Sequence, residues 1–227
     1  MVLVVVRHAE SVENADKYNG FYQDQRPYDG RAAHMISRHV VGLTPRGFRQ
    51  SLWLGKALAD IAGNSGRVQV FTSTYRRSID TAAAAFPAWE NRVERTPLLD
   101  EQHYGDATYM TKAELFATYP DGADTRRNAK HQWVPPGGGE SLADGVFRRA
   151  GEFTALAREA VADGQTVIAI THHTTILALR ALLENRPLTD VVDEARQVKT
   201  PNAGIYRYEP TDGWLVRTHA AAPPPDL

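Results

Sequence analysis

The chain has 227 residues, of which 42% are hydrophobic and 23% are charged, with a formal net charge of −1 and no cysteine. These values are typical of an ordinary globular protein that can bury a full core, and we expect one domain over residues 1–227. The near-zero charge argues against a nucleic-acid or anionic-membrane binder that works through bulk charge. The lack of cysteine excludes disulfides, thiolate catalysis and Cys-ligated zinc.

The chain opens on an apolar run, Val2 to Val6, which is followed at once by Arg7 and His8. The run is too short to span a membrane, and Arg7 interrupts it too early for a signal-peptide core, so we expect a cytoplasmic protein with no membrane partner. A short β-branched run instead predicts a strand that is buried on both faces in a parallel sheet. Arg7 and His8 then indicate either an anion site at the carboxyl edge of the sheet or simply the surface end of a strand.

Residues 11–41 are polar and aromatic and show no sustained hydrophobic period. A stretch of this length without regular structure is often functional. The alternative interpretation is a surface loop that is packed by its own aromatic side chains. After it, Thr44 is a suitable N-cap and Pro45 suits the first helical position, so a helix is predicted to begin here and to end near Gly63.

Beyond this helix the sequence alternates between strand and helix patterns. Strands are predicted at 68–71, 94–99 and 166–171, with a closing hairpin at 203–208 and 214–218. Helices are predicted at 78–86, 111–119, 140–162 and 176–183, whereas residues 120–139 are rich in turn residues and the tail after His219 is expected to fray. This alternation predicts an α/β three-layer sandwich with a mainly parallel central sheet flanked by helices.

Side chains that could take part in catalysis or binding follow the predicted extended segments. They are Arg7, His8, Arg77, Glu101 and His172. Strand ends at one edge of a sheet can converge, and these residue types suit phosphoryl transfer. Arginine offers a permanently charged fork that matches phosphate oxygens. A histidine with one ring nitrogen held is a nitrogen nucleophile near neutral pH. A carboxylic acid can protonate a leaving alkoxide and then deprotonate water.

Six ordered elements of the chain resemble the signatures of the histidine phosphatase superfamily, in its phosphoglycerate-mutase-like branch. The similarity runs in family order from the first strand to the final hairpin. The elements are Arg7-His8-Ala9-Glu10-Ser11 with Asn14 downstream, Leu43-Thr44-Pro45-Arg46-Gly47, Thr72-Ser73-Thr74-Tyr75-Arg76-Arg77, Glu101 with His103-Tyr104-Gly105, Gly138-Gly139-Glu140-Ser141, and Thr171-His172.

The resemblance implies a phosphatase of the histidine acid type that hydrolyses a phosphomonoester through a phosphohistidine, without a metal or another cofactor. In this scheme His8 attacks phosphorus, and Glu101 protonates the leaving oxygen and later activates water. Arg7, Arg77 and His172 hold the phosphoryl oxygens and offset the charge of the transition state.

The substrate that the resemblance implies is a phosphorylated small molecule, with no nucleic-acid partner, and dimerisation is common in the family. Two segments, 11–41 and 105–139, are expected to act as substrate lids. The residues expected to contact the substrate are Arg7, Asn14, Arg77, His172, His173 and Tyr104.

Several alternatives stay open at the level of sequence. A cofactor-dependent phosphoglycerate mutase is the second hypothesis, although Gln102 stands where mutases usually carry arginine. A catalytically weak module that binds a phosphorylated ligand is the third. A metal site built from His8, His172 and Glu101 is less favoured because two nearby arginines would repel the ion.

Two residues replace glycines that are usual in the family. Ala9 follows His8, so the turn there must tolerate a Cβ atom, and Ala9 is the first position to check for backbone strain. His173 follows His172 and would be the working residue if the preceding strand were one residue longer.

Overall fold

A six-stranded sheet forms the centre of the structure, a computed structural model that describes residues 1–18, 38–59, 67–88, 93–108 and 110–227. The strand order is β3-β2-β4-β1-β5-β6, and the first four strands are parallel, whereas β5 and β6 run antiparallel to their neighbours. The strands are β1 (Leu3–Arg7), β2 (Val68–Thr72), β3 (Val93–Arg95), β4 (Thr166–Thr171), β5 (Ile205–Thr211) and β6 (Trp214–Ala221).

Helices cover both faces of this sheet. They are α1 (Val12–Tyr18), α2 (Pro45–Ala57), α3 (Arg76–Ala85), α4 (Lys112–Thr118), α5 (Ala123–Asn128), α6 (Phe147–Ala162), α7 (His173–Leu183) and α8 (Leu188–Gln197). Short 3₁₀ turns lie at Arg38–Val40, Pro97–Leu99, Gly105–Ala107 and Pro120–Gly122, and a π-helical turn at Leu142–Val146 leads into α6.

Alternate residues at the start of the chain face opposite layers of the molecule. Leu3 and Val5 pack with α6, α7 and α8, whereas Val2, Val4 and Val6 pack with α2 and α3. All five side chains are at most 6% exposed. A strand with both faces covered needs apolar residues at every position, which explains the unbroken run in the sequence. The predicted α/β sandwich with a mainly parallel sheet is confirmed.

The first proposed lid contains more regular structure than its sequence pattern indicated. Helix α1 begins directly after Ser11, whose backbone forms an isolated bridge with Leu43. A helix of seven residues is too short to display a hydrophobic period, so the expectation of an irregular segment was wrong at its start. The remainder of this lid, residues 19–37, lies outside the described residues.

The second proposed lid holds two short helices, of which only the first was predicted. Helix α4 begins with a capping box, in which the Thr111 side chain accepts from the Glu114 backbone and the Glu114 side chain accepts from the Thr111 backbone. Helix α5 lies within 120–139, where the sequence indicated turns. Pro120 and Gly122 form a 3₁₀ turn that leads directly into α5, so these turn residues begin a helix there.

Other parts of the chain also differ from the sequence prediction, beginning with α2, which ends at Ala57 and not near Gly63. Strand β3 ends at Arg95 because Thr96 caps a 3₁₀ turn that starts at Pro97. Helix α8 was not predicted. The tail is not simply frayed, since β6 continues to Ala221 and the Leu227 carbonyl accepts a hydrogen bond from Arg46. In the described ranges no helix combines the length and the apolar composition needed to cross a membrane.

The start of helix α2 lies so close to the loop after β1 that it requires glycine. Thr44 caps the helix by accepting from the Gly47 backbone at 3.0 Å, and its own backbone N–H donates to the Glu10 carbonyl at 3.0 Å. A Cβ atom on Gly47 would lie 2.1 Å from the Glu10 carbonyl oxygen. The Leu-Thr-x-x-Gly pattern therefore fixes how closely α2 approaches the loop that carries His8.

We expect Gly47→Ala to lower the free energy of unfolding by about 1–3 kcal/mol, because the new methyl group must push two backbone segments apart. Urea unfolding followed by circular dichroism measures this change. Gly151→Ala is the matched control, since a Cβ atom at Gly151 in α6 meets no atom within 4 Å. That variant should be as stable as the parent or up to about 1 kcal/mol more stable. Equal stability of Gly47→Ala and the parent would contradict the close approach.

Candidate active site

Strand β1 delivers His8 to the carboxyl edge of the sheet in a defined orientation. The His8 backbone N–H donates to the Thr171 carbonyl at 2.8 Å, which ties it to the end of the neighbouring strand β4. In the side chain, Nδ1 lies 2.7 Å from the Ala9 carbonyl oxygen. Because a carbonyl only accepts, Nδ1 carries the proton. In the neutral ring the lone pair is then on Nε2, which accepts from Arg77 Nε at 3.2 Å.

The surroundings of His8 keep its imidazole neutral. Burial lowers the pKa of His8 well below its ordinary value, and the positive charges of Arg77 and Arg7 lower it further. The Ala9 carbonyl and the carboxylate of Glu13 oppose this shift. A buried, neutral ring with a fixed tautomer presents a nitrogen lone pair at neutral pH, as a nucleophile requires.

The junction between β2 and α3 places Arg77, and not Arg76, beside His8. Arg77 is 2% exposed and lies over the ring of Tyr75, 4.6 Å from its centroid. Its Nη1 atom also lies 3.8 Å from the carboxylate of Glu13. The Arg76 side chain, by contrast, is largely exposed and pairs with Asp80 on the helix surface. Only one of the two adjacent arginines therefore faces the site.

The second histidine of the site follows β4 directly. His172 is fully buried, and its ring centroid lies 5.0 Å from that of His8. The Ser73 hydroxyl donates to Asp100 at 2.8 Å, so its oxygen accepts from His172 Nε2, also at 2.8 Å. Asp100 accepts in addition from the backbone N–H of Thr74 at 2.7 Å. A serine and an aspartate thus orient the ring of His172.

Arg7 is the last residue of β1, and His173 is the second residue after β4. Arg7 is 8% exposed and donates through Nη1 to the Thr200 carbonyl at 2.6 Å. His173 is the first residue of α7, and burial together with the charge of Arg7 lowers its pKa to about 4. Lys130 and Lys199 add to this shift, whereas Glu101 opposes it. The charges of Arg7 and Glu101 therefore act on His173 in opposite directions.

The loop that carries Glu101 is fastened to the Gly-Gly-Glu-Ser element. Glu101 itself is partly buried and accepts from the Gln102 backbone at 3.0 Å. Gln102 is buried and donates through Nε2 to the Glu140 carbonyl at 2.8 Å. The backbone of His103 exchanges hydrogen bonds with Glu140, which donates to it through its own N–H at 2.9 Å and accepts through Oε1 at 3.0 Å.

Two of the expected substrate contacts have structural partners. Asn14 Oδ1 accepts from Asn202 Nδ2 at 2.9 Å, and the same Asn202 amide lies 3.1 Å from the His8 carbonyl. The ring of Tyr104 packs near Trp133, with 6.5 Å between the ring centroids. Asn14 therefore helps to fix the loop after β1, and Tyr104 forms part of the wall next to the Glu101 loop.

Ala9, the first position to check for backbone strain, does not have the positive φ that would strain an alanine. Among the described residues, the non-glycine positions with positive φ are Asn185, Ala203 and Asp212, so Ala9 is not one of them. Its methyl group is fully buried against Leu43 and Ala203. Alanine fits because the backbone stays in a region open to every residue and the Cβ atom fills a small apolar pocket.

Four polar residues around the site were missed by sequence reasoning, namely Glu13, Ser73, Asp100 and Asn202. Ser73 and Asp100 belong to the family-like elements at 72–77 and next to Glu101, which was a usable signal. Asn202 precedes a residue with positive φ, where the Ala203 backbone N–H donates to the His8 carbonyl at 3.2 Å. No periodic pattern marks Asn202, because it acts from a loop.

A metal site built from His8, His172 and Glu101 was one of the alternatives that the sequence left open. Within the described part of the chain, no three His, Asp or Glu side chains are arranged as a metal site. The side chains beside His8 are instead two arginines and a second histidine, which suit an anionic ligand.

A sheet edge with a neutral histidine, two buried arginines and a second histidine has the chemistry of an anion site. The family model of the histidine phosphatase superfamily (branch 1) matches residues 3–220. The chain therefore belongs to the histidine phosphatase superfamily.

Curated relatives and solved structures are similar to this chain over most of its length. A 2,3-bisphosphoglycerate-dependent phosphoglycerate mutase of Cytophaga hutchinsonii is 27% identical over 201 residues, which cover 84% of this chain and 80% of the relative. The α-ribazole phosphatase of Shigella flexneri has a TM-score of 0.73 at 20% identity, over 96% of this chain and 95% of that one. A mycobacterial glucosyl-3-phosphoglycerate phosphatase has a TM-score of 0.67 at 22% identity, over 97% of both chains. The two structural similarities confirm the fold.

The lowered pKa of His173 has a consequence for stability. In the unfolded chain this histidine takes up a proton near pH 6.5, whereas in the folded protein it stays neutral down to about pH 4. The contribution of His173 to the free energy of unfolding is thus complete above pH 6.5 and is lost as the pH falls towards 4, by up to about 3 kcal/mol.

We expect the urea midpoint of unfolding to fall as the pH is lowered over this range, and to fall less in His173→Gln. His103→Gln, which changes an exposed ring, is the control. The same pH dependence in His173→Gln and the parent would contradict this.

Proposed function

We propose that the protein is a metal-independent phosphatase that hydrolyses a phosphomonoester through a phosphohistidine on His8. The observation that carries the proposal is the state of His8: its ring is neutral, its tautomer is held by Ala9, and the Nε2 lone pair lies beside Arg77. Membership of the histidine phosphatase superfamily supports it.

The reaction has two phosphoryl transfers. In the first, Nε2 of His8 forms a bond to phosphorus while the bond to the leaving oxygen breaks, and Glu101 gives that oxygen its proton. In the second, Glu101 takes a proton from water, the water oxygen bonds to phosphorus, and the bond to His8 breaks. Inorganic phosphate and the restored His8 result.

Positive charge for both transfers comes from the protein. Arg7 and Arg77 are permanently charged, buried and already in place, so little reorganisation is needed when charge develops on the phosphoryl oxygens. His172 in its protonated form adds a donor. Since Ser73 holds Nε2 of His172, the contact to a phosphoryl oxygen falls to Nδ1.

The remaining substrate contacts are assigned to the rim. Tyr104 follows Glu101 in its loop, His173 follows His172, and Asn14 lies in α1 after the loop that carries Ala9. The substrate is a phosphorylated small molecule, recognised in part by segment 105–139. A homodimer is compatible with this arrangement.

A phosphoglycerate mutase is the second candidate because curated relatives at 27% identity carry that name. Hydrolysis is favoured by the position of Gln102. Its side chain is 3% exposed and bound to the Glu140 carbonyl, so at this position the protein offers a buried neutral amide rather than a cation for substrate.

Phosphate release from p-nitrophenyl phosphate tests the proposal. We expect turnover that persists in excess chelator, is lost in His8→Ala, and is accompanied by an acid-labile phosphoryl group on His8 in rapidly quenched enzyme. Turnover no higher than that of His8→Ala would refute the phosphatase, and inhibition by chelator would refute the metal-free mechanism. With 3-phosphoglycerate and a bisphosphoglycerate primer, interconversion much faster than phosphate release would establish the mutase instead.

The role of Glu101 predicts a dependence on the leaving group. Glu101→Gln should lower kcat/KM by about a hundredfold or more for an alkyl phosphate, whose alkoxide needs a proton. The loss should be much smaller for p-nitrophenyl phosphate, because nitrophenolate is a stable leaving group. Glu152→Gln, which changes an exposed pair with Arg148, is the control and should match the parent. Equal losses for both substrates would argue against Glu101 as the acid.

A further inference from the structure

The buried carboxylate of Glu13 lies next to the site and has no role in the mechanism above. Glu13 is in the first turn of α1 and is only 4% exposed, although its neighbour Val12 faces solvent. Its Oε2 atom lies 3.8 Å from Nη1 of Arg77, and both side chains are almost completely buried. Burying a guanidinium without a counter-charge is costly, so this pair helps Arg77 to remain inside the protein.

The same guanidinium is held at three places. Glu13 pairs with Nη1, His8 Nε2 accepts from Nε at 3.2 Å, and the ring of Tyr75 lies 4.6 Å from the central carbon. An arginine that grips a phosphoryl group must present its planar fork in one orientation. The three contacts fix that orientation beside the nitrogen that receives the phosphoryl group.

Glu13 also balances the charge around the nucleophile. The groups that act on His8 are Arg7 from β1, Arg77 from α3, Glu13 from α1 and the Ala9 carbonyl, with the His172 ring against it at the end of β4. Among these side chains Glu13 alone is a carboxylate, and it opposes the two arginines in setting the pKa of His8.

We propose that Glu13 is a positioning residue for phosphoryl transfer, which acts by holding the Arg77 guanidinium beside His8 and does not touch the substrate. This inference rests on the proposed function of His8. Proton transfer stays with Glu101.

A double-mutant cycle separates positioning from a purely structural role. Glu13→Gln keeps the size of the side chain and removes its charge, and we expect kcat to fall by up to about a hundredfold, with a smaller change in KM, as the fork loses its alignment. Glu13→Asp keeps the charge and should recover part of the loss. In an Arg77→Ala background, Glu13→Gln should cause almost no further loss of kcat, because the guanidinium that Glu13 holds is absent.

The cycle is read in two ways, on variants whose folding is checked by thermal unfolding. The first is turnover of p-nitrophenyl phosphate, and the second is the dissociation constant of orthovanadate, which stands in for the phosphoryl group and gives a value even when Arg77→Ala is very slow. Glu152→Gln is the control with an unrelated ion pair. Equal losses from Glu13→Gln with and without Arg77, or parental behaviour of Glu13→Gln, would overturn the inference. If the parent forms no phosphohistidine, the proposed function fails, whereas coupling to Arg77 in vanadate binding still decides the role of Glu13.

Discussion

The hydrogen bond from His8 Nδ1 to the Ala9 carbonyl is the interaction on which the chemistry of the site depends. It joins adjacent residues, so it forms as soon as the chain turns at the end of β1, and it places the proton on Nδ1. Burial and two arginines then keep the ring neutral. Nε2 consequently holds a lone pair before any substrate arrives, and no separate base is required to prepare it.

The fold supplies the partners of this nitrogen through strand order. Strands β2, β4 and β1 are adjacent and parallel, so the segments after Thr72, Thr171 and Arg7 meet at one edge of the sheet. Two guanidiniums can be buried there because each has a fixed acceptor, a backbone carbonyl for Arg7 and a carboxylate for Arg77. Donors fixed in advance in a site of low dielectric stabilise developing charge more strongly than mobile ones in water.

The parts of this architecture that could be predicted from sequence are those with local signals. The doubly buried strand at Val2–Val6, the capped helix after Thr44 and the ordered family-like elements each leave a pattern in consecutive residues. Helix α1 and helix α5 were missed because each spans less than two turns, which is too short for a period to appear. Asn202 was missed because it acts across 194 positions in the chain on the His8 carbonyl, and no local pattern encodes such a contact.

The two departures from the family pattern have different physical consequences. At Ala9 the extra methyl group enters an apolar pocket formed with Leu43 and Ala203, and the carbonyl that orients His8 is unaffected, since any residue supplies it. At His173 the side chain adds a second imidazole beside Arg7, one that is neutral at the pH where the enzyme is expected to work. A neutral ring can donate through only one nitrogen, so it discriminates between ligands by geometry rather than by charge. The methyl group at Ala9 therefore leaves the orientation of His8 intact, and we propose that His173 affects which phosphorylated molecule fits the site.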